Sequence, residues 1–235
     1  MTEMLYLLDC YRREFEAIVT CVRGDEIELD KTFFYPESGG QPSDLGTILV
    51  NGNEVKVVHA RKEGERVWHK IEGEMPSMGD SVRGIIDWTR RYTFMRYHTA
   101  LHMLSRVLYD EFRAGITGNQ IGLDKSRMDF ATDMYDKEKI SYIEEKTNLA
   151  IARNYPIKLY VLPRQEAMSV VDQNRTRIDL LPAQIDKIRI VEIVGYDFEA
   201  CGGTHLSSTG EIGKLRITKI ENKGKNNKRM EIVLE

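Results

Sequence analysis

The spacing of apolar residues changes once along this chain, at Thr89, and this change limits the folds that the chain can adopt. Before Thr89, β-branched and aromatic runs of strand length alternate with turn sequences, among them Asn51-Gly52 and Glu63-Gly64. Short strands joined by such turns are typical of a small antiparallel barrel or sandwich. We therefore predict a β-barrel-like N-terminal domain in residues 1–88.

A long helix is predicted directly after this change. The stretch RRYTFMRYHTALHMLSRVLYDEF contains no Gly or Pro and places apolar residues at helical spacing, namely Phe94, Tyr97, Leu101, Leu104 and Leu108. A second helix is predicted across DKEKISYIEEKTNLAIARN, ending near Pro156, and strands are predicted at RMDFAT, IKLYVLP, KIRIVEIV, IGKLRITKI and RMEIVLE. Residues 89–235 are thus predicted to form an α+β domain with helices on one face of a sheet. The segment DKIRIVEIVGYDFEACGGTHLSSTG is predicted to contain a turn-rich loop.

The composition argues against a membrane protein and against a strongly basic nucleic-acid-binding protein. Lys and Arg number 34 against 37 Asp and Glu, a net charge of −3, so any RNA contact must come from local patches. No uninterrupted apolar stretch approaches the ~20 residues of a membrane span. The N-terminus has the acidic Glu3 where a secretory signal requires positive charge, and Asp9 ends its apolar run after only a few residues. Three widely spaced cysteines fit a reducing compartment better than a disulfide framework. We expect a cytoplasmic protein.

Two pairs of residues, each with a spacing of four, indicate a metal site. His98 and His102 project from one face of the predicted helix, separated by roughly 6 Å of rise. Cys201 and His205 flank two glycines that let the backbone turn so that both side chains face inward. Three imidazoles and a thiolate form a ligand set that suits tetrahedral zinc. We therefore predict one Zn²⁺ per chain.

Other interpretations of these residues remain open at this stage. The histidine pair alone is also compatible with a partly solvated helix face, Cys201 with a small buried apolar residue, and His205 with a hydrogen-bonded core histidine. A Cys201 nucleophile with His205 as its base is a further alternative, but it leaves the helical pair unexplained. The His-Glu-x-x-His pattern of zinc proteases is excluded because Thr99 stands where the glutamate is required.

A second unusual segment combines aromatic residues, glycines and prolines at the end of a predicted strand. It runs from Thr32 through Gly39, Gly40 and Gln41 to Pro42. Glycines can bring backbone N–H groups close to a ligand, although an ordinary barrel loop would have the same composition. The segment has neither a phosphate-loop lysine nor a strand-to-helix context, so we predict no nucleotide cofactor.

Three motifs, in this order, resemble one known family. They are FFYPESGGQPSDLG, HTALHML on the long helix, and CGGTH followed by TGEIG. Together they resemble the editing domain of alanyl-tRNA synthetase, and more closely the freestanding alanyl-tRNA editing proteins of the AlaX type, in the medium-length class. The resemblance covers essentially the whole chain. Editing domains of threonyl-tRNA synthetase share the His-x3-His and Cys-x3-His patterns, but the CGGTH form and the GGQ loop favour alanine.

The resemblance implies roles for particular residues. The family's zinc ligands correspond to His98, His102, Cys201 and His205, and its substrate-binding residues correspond to Thr32, Gly39, Gly40 and Gln41. The family's threonine, here Thr32, is thought to recognise the hydroxyl of a mischarged serine. The implied activity is hydrolysis of mischarged tRNA(Ala), carrying serine first and glycine second, while Ala-tRNA(Ala) is spared. The zinc then either activates a water or holds the substrate.

Two further functions are left open by the sequence. One is a non-catalytic, zinc-stabilised tRNA-binding module, and the other is a metallohydrolase of small molecules.

No motif identifies a general base, and the candidates are Glu37, Asp129 and Asp197. Two basic clusters are candidates for contacts with tRNA phosphates, and each is equally compatible with a solvated charge run. They consist of Lys223, Lys225, Lys228 and Arg229 near the C-terminus, and of Arg90, Arg91 and Arg96 beside the predicted metal ligands.

Overall fold

The computed structural model describes residues 1–132, 137–183, 185–224 and 226–235. It divides the chain into two compact units, Met1–Thr93 and Phe94–Glu235, and each is described by itself. Among the described residues, no helix combines the length and apolar character that a membrane span requires.

The first unit is built around a closed antiparallel barrel, as the sequence predicts. All residues of this unit are described, and its strands are β1 (Glu3–Met4), β2 (Glu14–Arg23), β3 (Glu26–Leu29), β4 (Lys31–Thr32), β5 (Gly46–Val50), β6 (Asn53–Glu63), β7 (Arg66–Glu72) and β8 (Ser81–Ile86). The barrel closes in the order β2-β3-β7-β6-β5-β8, and the short strands β1 and β4 pair in parallel beside it.

Strand alternation explains how the barrel core is filled. On β2, Phe15, Ala17 and Val19 are buried while their neighbours are exposed, so one face of the strand packs into the core. Gly84 on β8 lies opposite Phe15, and a Cβ there would stand 2.5 Å from the phenyl ring. Glycine is therefore required at this position for the ring to lie across β8.

The two predicted hairpin turns are both present, one of them displaced. Val50 pairs with Asn53, and Asn51 and Gly52 between them have φ angles of 51° and 83°, as a type I′ turn requires. In the next hairpin Glu63 is still a strand residue, because it pairs with Arg66. The turn there lies one residue later than predicted.

The second unit is α+β, as predicted, but its strands form two sheets. Its described elements are α1 (Trp88–Phe112, which begins within the first unit), β9 (Gly115–Gln120), β10 (Ser126–Ala131), α2 (Lys137–Ala152), β11 (Ile157–Pro163), α3 (Arg164–Val170), β12 (Lys187–Ile193), β13 (Asp197–Ala200), β14 (Leu215–Gly224) and β15 (Asn227–Leu234). In the described part of the chain, one sheet has the order β14-β15-β10-β9 and the other β11-β12-β13. The elements β9, α3 and β13 have no counterpart in the sequence prediction.

A buried ion pair between Arg91 and Asp44 connects residues on both sides of the glycine-rich segment to the last residues of the first unit. Arg91 and Asp44 are both fully buried, and the guanidinium binds both carboxylate oxygens. Asp44 also accepts the backbone N–H of Tyr35 at 2.6 Å, and Arg91 donates to the carbonyls of Cys10 and Phe33. The pair thus fixes residues on both sides of the loop.

A second buried polar pair lies at Thr32. The Nδ1 atom of His69 is 3.3 Å from the carbonyl oxygen of Ile27, which can only accept, so Nδ1 carries the proton and Nε2 is an acceptor. Thr32 therefore donates its hydroxyl proton to Nε2 at 2.9 Å, and its oxygen accepts the N–H of Phe34 at 3.0 Å. Burial lowers the pKa of His69 to about 4.

Removing one partner of the buried ion pair is expected to destabilise the protein strongly. Asp44→Ala leaves the guanidinium of Arg91 buried without its carboxylate, which costs about 3–5 kcal/mol of unfolding free energy. Denaturant unfolding of the full chain measures this. The control is Asp25→Ala, which removes an exposed partner of Lys70 and should cost under about 1 kcal/mol. Equal losses in the two variants would contradict the role assigned to Asp44.

The depressed pKa of His69 predicts a dependence of stability on pH. Because the folded pKa is about 4 and the ordinary value is 6.5, the unfolded chain binds the proton more readily, and stability is lost as pH falls from 6.5 to 4. The contribution of His69 to this loss is about 3 kcal/mol. Unfolding measured across this window should be less pH-dependent in His69→Gln than in the wild type. Parallel curves would show that His69 is not the titrating group.

Candidate metal centre

Four donor side chains converge in the second unit, and they are the four that the sequence predicts. His98 and His102 come from α1, and Cys201 and His205 from the loop that follows β13. The Sγ atom of Cys201 lies 3.4 Å from Nε2 of His98 and 3.3 Å from Nε2 of His205. The four donor atoms all lie within 4.8 Å of one another.

This arrangement fits a tetrahedral zinc ion. Zinc–sulfur bonds of about 2.3 Å and zinc–nitrogen bonds of about 2.0–2.1 Å place the sulfur about 3.5 Å from each nitrogen. The two sulfur–nitrogen distances in this site, 3.4 and 3.3 Å, are close to that value. Imidazole and thiolate are also the donor types that zinc prefers. The residues present are therefore able to hold zinc.

An arginine from β12 shapes the loop that carries two of the donors. Arg189 is buried, and its Nη1 donates to the carbonyl oxygens of Cys201 and Gly203, each at 2.7 Å. The backbone N–H of Cys201 in turn donates to the carbonyl of Arg189 at 3.1 Å. These two hydrogen bonds restrain the backbone of a loop that contains adjacent glycines.

Thr99 anchors the last donor. Its hydroxyl oxygen accepts the backbone N–H of Leu206 at 3.2 Å and lies 3.3 Å from Nδ1 of His205. That contact leaves Nε2 of His205 facing Cys201. Sequence reasoning used Thr99 only to exclude a protease motif and missed this role. No local sequence pattern signals this role, because the contact joins two residues that are 106 positions apart.

The electrostatics of the site favour the ionisation states that metal ligation requires. Burial, with the charge of Arg189, lowers the pKa of His98 to about 3, and burial also lowers the pKa of His205. Burial opposes ionisation of Cys201, but the contact with His102 and the charge of Arg189 lower the pKa of its thiol. Neutral imidazoles and a thiol that ionises readily are the forms in which these groups bind metal.

Two carboxylates stand beside the four donors. Asp197 and Glu199 project from the same face of β13, and both form ion pairs with Arg175. Their spacing from His102 is also suited to holding a cation. The Arg175 guanidinium already binds both carboxylates, so an internal positive charge stands where a cation beside them would bind.

The candidates for a general base differ in their surroundings. Asp197 is bound through both oxygens by Arg175, and Asp129 is bound through both oxygens by Arg229 at 2.7 Å. Glu37 is exposed and lies 3.2 Å from Nε2 of His59. Of the three candidates, Glu37 is thus the one not bound by an arginine in the described contacts.

The glycine-rich segment belongs to the first unit and forms a tight turn. Ser38 and Gln41 exchange both backbone hydrogen bonds, and Gly39 and Gly40 between them have φ angles of 57° and 80°. Residues that carry a side chain rarely adopt such backbone angles, which explains the two glycines. Both glycines are exposed, whereas Gln41 and Thr32 are fully buried.

Much of the positive charge assigned to tRNA binding is used within the protein. Arg91 is fully buried against Asp44, so it is wrong as a candidate for a phosphate contact. Other members of the two clusters make internal contacts: Arg90 to Ser43, Arg96 to Ile212 and Glu235, Lys223 to Glu221, Lys228 to Asn222, and Arg229 to Asp129. Lys225 lies outside the described residues.

Comparison with known proteins agrees with this architecture. Residues 3–90 match the family described as class II (A) tRNA synthetases, and residues 188–231 match the second additional domain of threonyl and alanyl tRNA synthetases. An alanine–tRNA ligase of Pyrococcus furiosus is 39% identical over 94% of this chain, which corresponds to 24% of the ligase.

Shorter relatives match from end to end. The alanyl-tRNA editing protein AlaX-M of Methanosarcina acetivorans is 48% identical over 100% of this chain and 99% of its own length. The AlaX-M protein of Saccharolobus solfataricus is 40% identical over 98% of both chains. At this identity and coverage, the chain belongs to the AlaX-M family of alanyl-tRNA editing proteins.

Proposed function

We propose that this protein is a trans-editing aminoacyl-tRNA hydrolase of the cytoplasm. It cleaves the ester bond of mischarged tRNA(Ala), carrying serine first and glycine second, and spares Ala-tRNA(Ala). The observation that carries the proposal is the cluster of His98, His102, Cys201 and His205, assembled in a chain that matches editing proteins over its whole length.

The metal of this site is proposed to be one Zn²⁺ per chain. When bound, zinc supplies a localised positive charge to which the ester or amino end of a substrate can be drawn. The chain's own residues prepare the site: Arg189 holds the loop, Thr99 orients His205, and depressed pKa values keep the imidazoles of His98 and His205 neutral.

Four protein donors fill a tetrahedral shell, and this observation favours a second candidate. Structural zinc sites have four protein ligands, whereas catalytic sites commonly have three. The alternative is a tRNA-binding module in which zinc only joins α1 to the 201–205 loop. It predicts tRNA binding without turnover, so measured hydrolysis separates the two functions.

Selectivity is proposed to depend on hydrogen bonding. A site that hydrogen-bonds a hydroxyl discriminates strongly against the analogue that lacks it, because its own buried polar group is then left unpaired. The hydroxyl proton of Thr32 is held by His69, so Thr32 can offer a further ligand only an acceptor. A serine hydroxyl can donate to such an acceptor and alanine cannot. Since Thr32 is fully buried, this role requires that it become accessible on substrate binding.

The function is tested by measuring release of the amino acid from seryl-, glycyl- and alanyl-tRNA(Ala) by zinc-loaded protein. We expect Ser-tRNA(Ala) to be hydrolysed well above its spontaneous rate while Ala-tRNA(Ala) survives. Cys201→Ala should lose this activity and its zinc, because it removes the thiolate ligand. The loss of zinc affinity should exceed the about 10- to 100-fold change that removal of an outer-shell partner causes.

Cys21→Ala is the matched control for this experiment. Cys21 lies on β2 of the first unit and is a free thiol, so its removal should leave both zinc content and hydrolysis unchanged. Hydrolysis by Cys201→Ala at the wild-type rate would contradict the metal's role. Binding of tRNA without hydrolysis by the wild type would instead establish the binding module.

Thr32→Val tests the proposed basis of selectivity. Valine keeps the shape of threonine but removes the hydroxyl, so we expect the ratio of seryl to alanyl hydrolysis to fall by about 10-fold or more. The substitution also leaves Nε2 of His69 without its donor, so thermal unfolding is measured in parallel. An unchanged ratio in folded Thr32→Val would exclude Thr32 as the group that recognises serine.

A further inference from the structure

We propose that Glu199 is a positioning residue of the metal centre: it accepts the Nδ1–H of His102 and so holds that imidazole with Nε2 available to the metal. The inference deepens the proposed function, because it assumes that the four-donor cluster binds zinc. It assigns a role to a carboxylate that neither the sequence motifs nor the resemblance identifies.

The first observation is an unsatisfied nitrogen. The Nδ1 atom of His102 is buried and has no hydrogen-bond partner among the described residues. Oε2 of Glu199 lies 3.4 Å from this nitrogen, just beyond the length of a good hydrogen bond. Both side chains are largely buried, at 10% and 13% exposure, so water has little access to either group.

The second observation is that Glu199 is itself held in place. Arg175 binds its other oxygen, Oε1, and also binds both oxygens of Asp197. The Oε2 atom of Glu199 is therefore left to face His102. Arg175, Glu199 and His102 form a line of contacts from a buried guanidinium to the metal ligand.

Strand geometry accounts for this placement. Glu199 lies on β13, and side chains two residues apart on a strand point to the same side. Asp197 and Glu199 therefore share one face, and Cys201, which supplies the thiol, follows the end of β13 and still donates its N–H to the carbonyl of Arg189 on β12. The segment DFEAC thus delivers a metal ligand and the carboxylate that supports a second ligand from one stretch of chain.

The chemical consequence follows from how imidazole binds metals. A ligating histidine donates its second ring N–H to a carboxylate, a carbonyl or water, and this bond fixes the tautomer and makes the ligating nitrogen more basic. With Nδ1 directed at Glu199, Nε2 is the nitrogen left for the metal. Glu199 is therefore expected to raise zinc affinity without touching the substrate.

The test compares zinc affinity of the full chain in three variants, measured by competition with a chelator of known affinity. Glu199→Ala removes the acceptor, and we expect zinc to bind about 10- to 100-fold more weakly. Glu199→Gln replaces the carboxyl group by an amide of the same size that keeps one acceptor oxygen, so a smaller loss is expected. The matched control, Glu192→Gln, removes a carboxylate that accepts from Tyr160 on the same sheet, and its zinc affinity should equal that of the wild type.

A spectroscopic readout separates positioning from general stability. Nitrogen-15 chemical shifts of His102 should report a protonated Nδ1 in the wild type, and the visible spectrum of Co²⁺-substituted protein should change in Glu199→Ala. Where Glu199→Ala does not fold, Glu199→Gln provides both measurements. Unchanged affinity and spectra in the folded variants, or an equal loss in Glu192→Gln, would overturn the proposal.

Metal binding is measured without tRNA, so the two hypotheses fail in distinguishable ways. Weakened zinc binding in the Glu199 variants of a protein that does not hydrolyse aminoacyl-tRNA would support the positioning role and refute the editing activity. Hydrolysis of Ser-tRNA(Ala) together with zinc affinity that is insensitive to Glu199 would support the editing activity and refute the positioning role. A wild-type chain that binds no zinc would refute this inference.

Discussion

Three imidazoles and a thiol that face one another inside the second unit are the constraint on which much of that unit's local structure depends. Buried groups of this kind are costly unless each nitrogen and the sulfur have partners. Arg189 binds the loop carbonyls, Thr99 lies against Nδ1 of His205, and Glu199 faces Nδ1 of His102. The outward nitrogens of His102 and His205 thus face protein groups, while the four donor atoms lie within 4.8 Å of one another. Imidazole and thiolate are donor types that suit a soft cation, so the cluster could hold one.

The four donors were predictable because each pair of them lies within five consecutive residues of the sequence. A spacing of four on a helix places His98 and His102 on one face, and a spacing of four around two glycines does the same for Cys201 and His205. The barrel was predictable for a similar reason, since its strands alternate and its turns carry Asn-Gly signals. In each case the information lies within a few consecutive residues.

What sequence reasoning missed depends on contacts between distant residues. Arg91 is a candidate for tRNA contact in the sequence because its charge is visible there, whereas its burial depends on Asp44, 47 positions away. The strand β13 was missed because the turn-rich CGGTH segment hid the alternation of DFEAC, and β9 was missed because GITGNQ is rich in glycine and polar residues. Thr99 and Arg189 belong to the same class, since neither stands in a recognisable motif.

The proposed discrimination between serine and alanine depends on donors and acceptors more than on volume, and the first unit provides a group of fixed polarity. The low pKa of His69 keeps its ring neutral at physiological pH, so Nε2 remains an acceptor. Because that acceptor holds the proton of Thr32, the threonine oxygen cannot turn to donate to a ligand. In the proposed function, a hydroxyl that can only accept would favour a substrate with a proton to give. Serine has one on its side chain, and alanine has none.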